Sequence, residues 1–267
     1  MENNCLNCNH LILENFCGNC GQKKYKRIDK KYIWDEVQYT VLHTNKGFLY
    51  TLKNLLKNPG KCARGFIEGN RVNHYKPILL VFVLSGISTF LSFKVLGMGK
   101  MMQSFYDKKE LSSPMMNDVM SFITSYSSLL MLLLLPIFAF FTKVAFRKWG
   151  HNYYEHVVMN SFILAVFNIA CVVLVYPIIY LVKDDEQSVV FYSSLSMLTV
   201  PFILVWFFKG FYPSKTLMTI ILRVLLIVLM VMFGYVLAVI LGIIIMLLYT
   251  MIVGPEALEY LKPRNSI

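Results

Sequence analysis

This chain is short of charge. Asp, Glu, Lys and Arg make up only 15% of its 267 residues, against about 25% in soluble domains. The shortfall is concentrated from Pro77 onward, where apolar residues collect into successive stretches. Each is long enough to cross a hydrocarbon layer, which takes roughly 20 helical residues. One such stretch fits the core of a soluble helical domain, but several in succession do not. Ionisable groups at mid-membrane depth, the usual mark of a transport path, are missing too: no Asp, Glu, Lys, Arg or His lies near the centre of any stretch. Motifs of catalysis are equally scarce. The chain has no P-loop and no recognisable paired-carboxylate or Ser-His-Asp arrangement. In HNYYEH the histidines, His151 and His156, are five apart, so they do not share the one-turn face of an HExxH zinc site. No catalytic residue is assigned, and the balance leans against an enzyme. A membrane-embedded enzyme on a lipid-like substrate would need polar residues such as Arg71, His74, Glu155 and His156 to meet around a lipid-sized pocket. A secretory signal is also lacking. The first 22 residues are polar and cysteine-bearing, without an apolar run before a small-residue cleavage site, so the N-terminus is expected to remain in the cytoplasm.

Four of the six cysteines stand in CLNCNHLILENFCGNC: Cys5, Cys8, Cys17 and Cys20, spaced C-x2-C-x8-C-x2-C. Each CxxC turns tightly enough to aim two sulfurs at one ion, so four thiolates surround a zinc tetrahedrally. A module of this size has almost no core, and metal binding must supply its folding energy. An iron–sulfur centre would take four thiolates as well, but no further cysteine run supports one. A redox CxxC expects a βαβ setting, and none follows. His10 is read as a polar loop residue beside a shell already filled. A complete four-cysteine shell leaves no position for substrate, so the zinc is structural. Cys62 and Cys171 have no evident partners, which suits a reducing compartment.

The formal charge of +11 is unevenly placed: residues 1–76 carry 13 Lys/Arg against 6 Asp/Glu. That surplus beside the first apolar stretch favours retention in the cytoplasm and contact with anionic headgroups. The ribbon itself has no basic residue within Cys5–Cys20, which argues against nucleic acid as a partner. The organisation read from the sequence is a zinc ribbon over 1–22, then a basic linker, amphipathic helix and juxtamembrane neck over 23–76. A transmembrane helical bundle follows over 77–255, and a polar tail over 256–267. In the second region KKYKRIDKK is the linker. Phe48, Leu49, Leu52, Leu55 and Leu56 form an apolar stripe at helical spacing, and Pro59-Gly60 ends that helix. The helix either lies in the interface or packs against the bundle. Glu68 and Arg71 are spaced to pair if helical.

Four spans are expected at about 77–96, 119–141, 157–182 and 188–208. The 32 uncharged residues between Arg223 and Glu256 would form a helix of about 48 Å, more than the hydrocarbon layer of about 30 Å. One crossing is preferred over a hairpin because no polar turn interrupts the run. Asn160, Asn168, Pro136 and Pro177 either line a path or serve helix packing. Lys143, Arg147 and Lys148 in one connection and Lys209 to Lys215 in another fall on the N-terminal side, while KDDE at 183–186 falls on the opposite side, as the positive-inside rule requires.

CLNCNHLILENFCGNCGQ, HTNKGFLYTLKNLLKNPG and GFIEGNRVNHYKPILL together resemble the bacterial domain-of-unknown-function 3667 family. The resemblance implies a ribbon ending in Cys20, Gly21 and Gln22, with Asn9 where glycine is usual. It also implies a Thr-Leu-Leu-Pro-Gly element at Thr51, Leu55, Leu56, Pro59 and Gly60, and a further element at Gly69, Arg71, His74, Tyr75 and Pro77, with Asn70 in place of a basic residue. It carries no activity. The fold class expected is therefore an all-α polytopic membrane bundle of about five transmembrane helices, preceded by a small four-cysteine zinc ribbon. The location expected is the cytoplasmic (inner) membrane. The function expected is an adaptor, regulator or assembly factor that touches membrane lipids and engages a protein partner, or itself, through the cytoplasmic face. A small-solute transporter or channel with a regulatory ribbon is the alternative.

Overall fold

The computed structural model describes residues 4–5, 7–21, 47–71, 74–254, 260 and 262. The basic linker, the apolar positions 33–41 and nearly all of the C-terminal tail lie outside the described residues. The chain divides into two compact units, Met1–Asn45 and Lys46–Ile267.

The described part of the first unit is a double knuckle with one isolated bridge, Asn4 to Leu11. Its buried centre consists of Cys5, Ile12 and Cys17, with Cys8 packed against them.

The regular elements of the second unit are all helices among its described residues. Helix α1 spans Gly47–Lys57 and α2 Pro59–Ile67. The first span combines α3 (Pro77–Thr89) with a π-helical end at Phe90–Val95. Then come α4 (Met98–Lys108) and the second span, α5 (Pro114–Ala145). The third span is α6 (Tyr153–Ala170), a π-helical turn at Cys171–Val175 and α7 (Tyr176–Leu181). The fourth is α8 (Glu186–Met197) continued by α9 (Thr199–Phe211), and the fifth is α10 (Leu217–Val253). Five helices are thus long and apolar enough to cross a membrane, and the chain is a multi-pass membrane protein.

Local chemistry starts these helices where they start. Asn58 accepts the Lys61 amide and Pro59 takes the first helical position of α2, where its missing N–H costs nothing. Ser113 and Pro114 open α5 in the same way. Asn152 and Glu155 form a full capping box on α6. Asp185 caps α8 through the amides of Gln187 and Ser188, and the Ser188 hydroxyl holds its carboxyl below the usual range. The wide turn at Cys171–Val175 comes just before Pro177, where the ladder must accommodate a residue without an N–H.

Pro59-Gly60 does more than end α1. The pair stands inside the start of α2, because Asn58 supplies the cap that converts a break into a corner. Glu68 pairs with Arg64 at 3.8 Å rather than with Arg71, since the helix stops at Ile67 and Arg71 lies over the Phe66 ring instead.

The core sits toward one end of the bundle, called here the neck end. Phe207, Phe208 and Phe211 of α9 meet Met159 and Phe162 of α6, Leu80 of α3, Leu55 of α1 and Ala63 of α2. The α1–α2 corner is therefore a packed part of the bundle. At the opposite end a smaller cluster joins Leu96, Ile179 and Val189, and Lys108 pairs with Glu186 at 2.8 Å. Of the spans, the third is half buried and the fifth only 11% buried, so the third is the axis of the bundle and the fifth lies at its edge. The fifth is one unbroken helix of 37 residues, which disposes of the hairpin alternative. Gly234 and Gly242 lie within it without breaking it. Arg223 donates to the Ala145 carbonyl at 3.0 Å, tying the start of α10 to the end of α5.

Candidate functional site

The four cysteine sulfurs of the first unit all lie within 4.8 Å of one another. Cys5 and Cys20 are 3.5 Å apart at sulfur, as are Cys8 and Cys17. A tetrahedron with metal–sulfur bonds of about 2.3 Å has edges of about 3.8 Å, so the arrangement is compatible with coordination of one metal ion. It does not fit disulfides, which need about 2.05 Å. Two backbone turns build it. The Asn9 amide donates to the Cys5 carbonyl at 2.8 Å, and the Gly21 amide to the Cys17 carbonyl at 2.9 Å. Both residues stand just after the second cysteine of a knuckle, and both are left-handed, with φ of 60° and 73°. Asparagine reaches that conformation more readily than other side-chain-bearing residues, so Asn9 does the work glycine does at position 21. The His10 amide acts to lower the Cys8 thiol. The Cys20 thiol, burial and the Cys17 thiol outweigh it and push Cys8 up to about 11. A cation at the centre reverses that balance, because a coordinating thiol is deprotonated outright. The His10 side chain is exposed and outside the cluster.

In the second unit the polar residues of the neck gather on the α1–α2 corner. Phe48, Thr51, Leu52 and Leu55 form the inward face of α1, whereas Leu49 and Leu56 are exposed. A threonine thus occupies a core position, and the reason is a hydrogen bond. The Tyr75 amide donates to Thr51 Oγ1 at 2.8 Å, both groups being buried. His74 Nδ1 lies 3.5 Å from Thr51 Oγ1 and 3.6 Å from Cys62 Sγ, with its ring edge-on to Tyr50 and Phe66. Burial lowers the His74 imidazole below its ordinary 6.5 and pushes the Cys62 thiol up to about 12, so both are neutral near pH 7. Thr51→Val keeps the shape and leaves the Tyr75 amide without an acceptor, a loss of about 1–3 kcal/mol. Thermal unfolding of the purified chain should show that loss for Thr51→Val and little change for Thr51→Ser, which retains the oxygen.

The polar residues singled out along the spans make hydrogen bonds within and between helices. Thr142 donates its single hydroxyl proton to the Phe138 or Ala139 carbonyl and accepts from Asn160 Nδ2 at 2.7 Å. The contact at 3.1 Å from His156 Nδ1 therefore runs from a protonated Nδ1, and His156 Nε2 is left as a buried nitrogen without a partner. Asn168 donates to the Leu164 carbonyl. Glu155 is spent on the capping box, and His151 meets the Tyr212 hydroxyl at 3.0 Å. Burial first, and then the Glu155 charge, holds that phenol neutral. Among the described residues no hydrogen bond, ion pair or ring contact joins Arg71 or His74 to Glu155 or His156, and of the four only His74 lines a polar cavity against α1 and α2. The family resemblance names Thr51 and Gly60, but sequence reasoning missed what each does: the bond from the Tyr75 amide to Thr51 and the close approach of Gly60 to α9. The signal for the first was a polar residue inside an i, i+3, i+4, i+7 stripe.

Residues 45–89 match the family described as "Protein of unknown function (DUF3667)". The matched stretch takes in α1, α2, the neck and α3, and the cysteine centre lies outside it. No curated protein and no solved structure matches the chain.

Proposed function

We propose that the protein is a membrane adaptor or assembly factor of the cytoplasmic membrane, whose zinc-held ribbon docks a protein partner on the cytoplasmic side. Cys5, Cys8, Cys17 and Cys20 hold a structural zinc in this reading. Orientation follows from the basic residues flanking the spans: Lys143, Arg147, Lys148, Lys209 and Lys215 stand in the two connections that a cytoplasmic neck puts on its own side, in keeping with the positive-inside rule.

The observation that carries the docking role is the surface of the ribbon. Leu11, Leu13 and Phe16 are 52%, 83% and 58% exposed. They lie in the chain between the two cysteine pairs, whose four thiols would leave a bound metal no open position for chemistry. A rigid knob with three bare apolar side chains is suited to protein contact. The third span, half buried and packed through aromatic residues, supports an anchor more than a path.

The test places a photo-crosslinking residue at Leu13 or Phe16 of the full chain in its native membrane. A discrete adduct that includes a second polypeptide, and that disappears with Leu11→Asp while zinc is retained, is the expected result. Adducts to lipid alone, or labelling of the ribbon from outside the cell, would overturn the reading.

A further inference from the structure

At the neck end a groove of about 740 Å³ runs between the last turns of α9 and the first turns of α10. That volume falls within the roughly 300–1,000 Å³ of small-molecule sites. Its walls are apolar, with Phe202, Val205 and Trp206 on one side and Ile221, Val224 and Leu225 on the other. Its mouth is different: Lys61 and Arg64 of α2 and Lys209 of α9 line it, and no acidic residue does. Lys209 donates to the neutral carbonyls of Pro213 and Lys215 at 3.1 and 2.7 Å, so its charge is uncancelled. Lys61 makes no ion pair among the described residues, and Arg64 has only the long contact with exposed Glu68.

Behind that mouth a second, polar cavity of about 470 Å³ opens against α1 and α2. It shares Asn58, Lys61 and Arg64 with the groove and adds Lys57, His74 and one acidic residue, Glu68. Depth completes the pattern. From Leu217 to Leu225 the groove wall rises about 12 Å along α10, close to half of a hydrocarbon layer about 30 Å thick. The groove therefore has the depth of one leaflet, a basic rim at its surface end and an interfacial tryptophan beside it.

We propose that this groove and its basic mouth form a binding site for one anionic phospholipid of the neck-side leaflet. An acyl chain lies against Val205 and Leu225, and the phosphate sits among Lys61, Arg64 and Lys209. Charge complementarity selects the headgroup. The leaflet-deep apolar wall selects a lipid over a free anion, which has nothing to place there. The site goes beyond the adaptor reading and stands or falls separately from the ribbon.

The full chain in detergent is titrated with phosphatidylglycerol or phosphatidylcholine of matched acyl chains and read by native mass spectrometry, with inorganic phosphate as competitor. Phosphatidylglycerol is retained in preference to phosphatidylcholine, and phosphate does not displace it. Lys61→Gln with Arg64→Gln lowers its affinity about thirty-fold, and Lys61→Gln alone about five-fold. Lys61 is exposed, so the single variant keeps its melting temperature and remains a valid test where the double variant does not fold. Leu225→Trp, at a half-exposed groove position, weakens both lipids. Equal retention of the two lipids, an unchanged preference in Lys61→Gln, or displacement by phosphate at lipid-equivalent concentration would each overturn the proposal, the last by identifying a free-anion site.

Discussion

Cys5→Ser together with Cys17→Ser should abolish metal binding and unfold the first unit while leaving residues 46–267 folded. The reason lies in how little else holds that unit. Its buried centre among the described residues is Cys5, Ile12 and Cys17, so two of its three members are the ligands themselves. Burying one isoleucine side chain contributes about 1.5–3 kcal/mol, whereas structural zinc in small peptides contributes about 10–16 kcal/mol. Folding and metal binding are then one equilibrium. Purified wild-type chain should carry one zinc, released by a thiol reagent, and the double variant none. Limited proteolysis should cut the variant within residues 1–45 and spare the bundle, whose core among the described residues is built from Leu55 to Ile227. A variant that keeps its zinc, or a wild type that never holds any, would remove the metal from the account.

The ribbon was legible in the sequence because its information is local. Four thiols at C-x2-C-x8-C-x2-C need only two tight turns to converge, and Asn9 and Gly21 supply the left-handed residues that close them. The spans were legible because length and apolarity suffice. The continuity of α10 followed from the absence of any polar turn. Legibility ended where a residue's role depends on a distant partner. Thr51 looks like an interruption of the α1 stripe until the Tyr75 amide is placed against it. His156 looks like half of a failed metal motif until Thr142 of α5 meets it and Asn160 on α6. Lys61, Arg64 and Lys209 are ordinary flank charges in the sequence and become one rim only when α2 crosses α9. That crossing is itself invisible locally, since a Pro-Gly pair reads as a stop wherever it occurs.

Gly60→Ala should therefore be among the most damaging small substitutions in the bundle. A Cβ built on Gly60 runs into the backbone of Phe207 and Phe211 and comes within 2.6 Å of the Gly210 carbonyl carbon. Backbone cannot swing aside as a side-chain tip can, so α2 and α9 must separate. Phe207 and Phe211, which are nearly inaccessible at this crossing, then lose their cover. Overpacking of a core costs about 1–3 kcal/mol where side chains can adjust, and a contact against main chain belongs at or above the top of that range. For a unit of this size about 3 kcal/mol lowers the melting temperature by about 6–12 °C. Gly210→Ala should cost less, because its Cβ meets chiefly the Asn58 side chain, which can turn away at the expense of the α2 cap. Gly65→Ala is the internal control. It lies in the same helix with nothing within 4 Å of its added carbon, and glycine inside a helix is about 0.5–1 kcal/mol worse than alanine, so this variant should melt slightly higher than wild type. Thermal unfolding of the three purified variants separates close approach from helix propensity by sign. Should Gly60→Ala shift in the same direction as Gly65→Ala, the α2–α9 contact is not what holds the corner to the bundle.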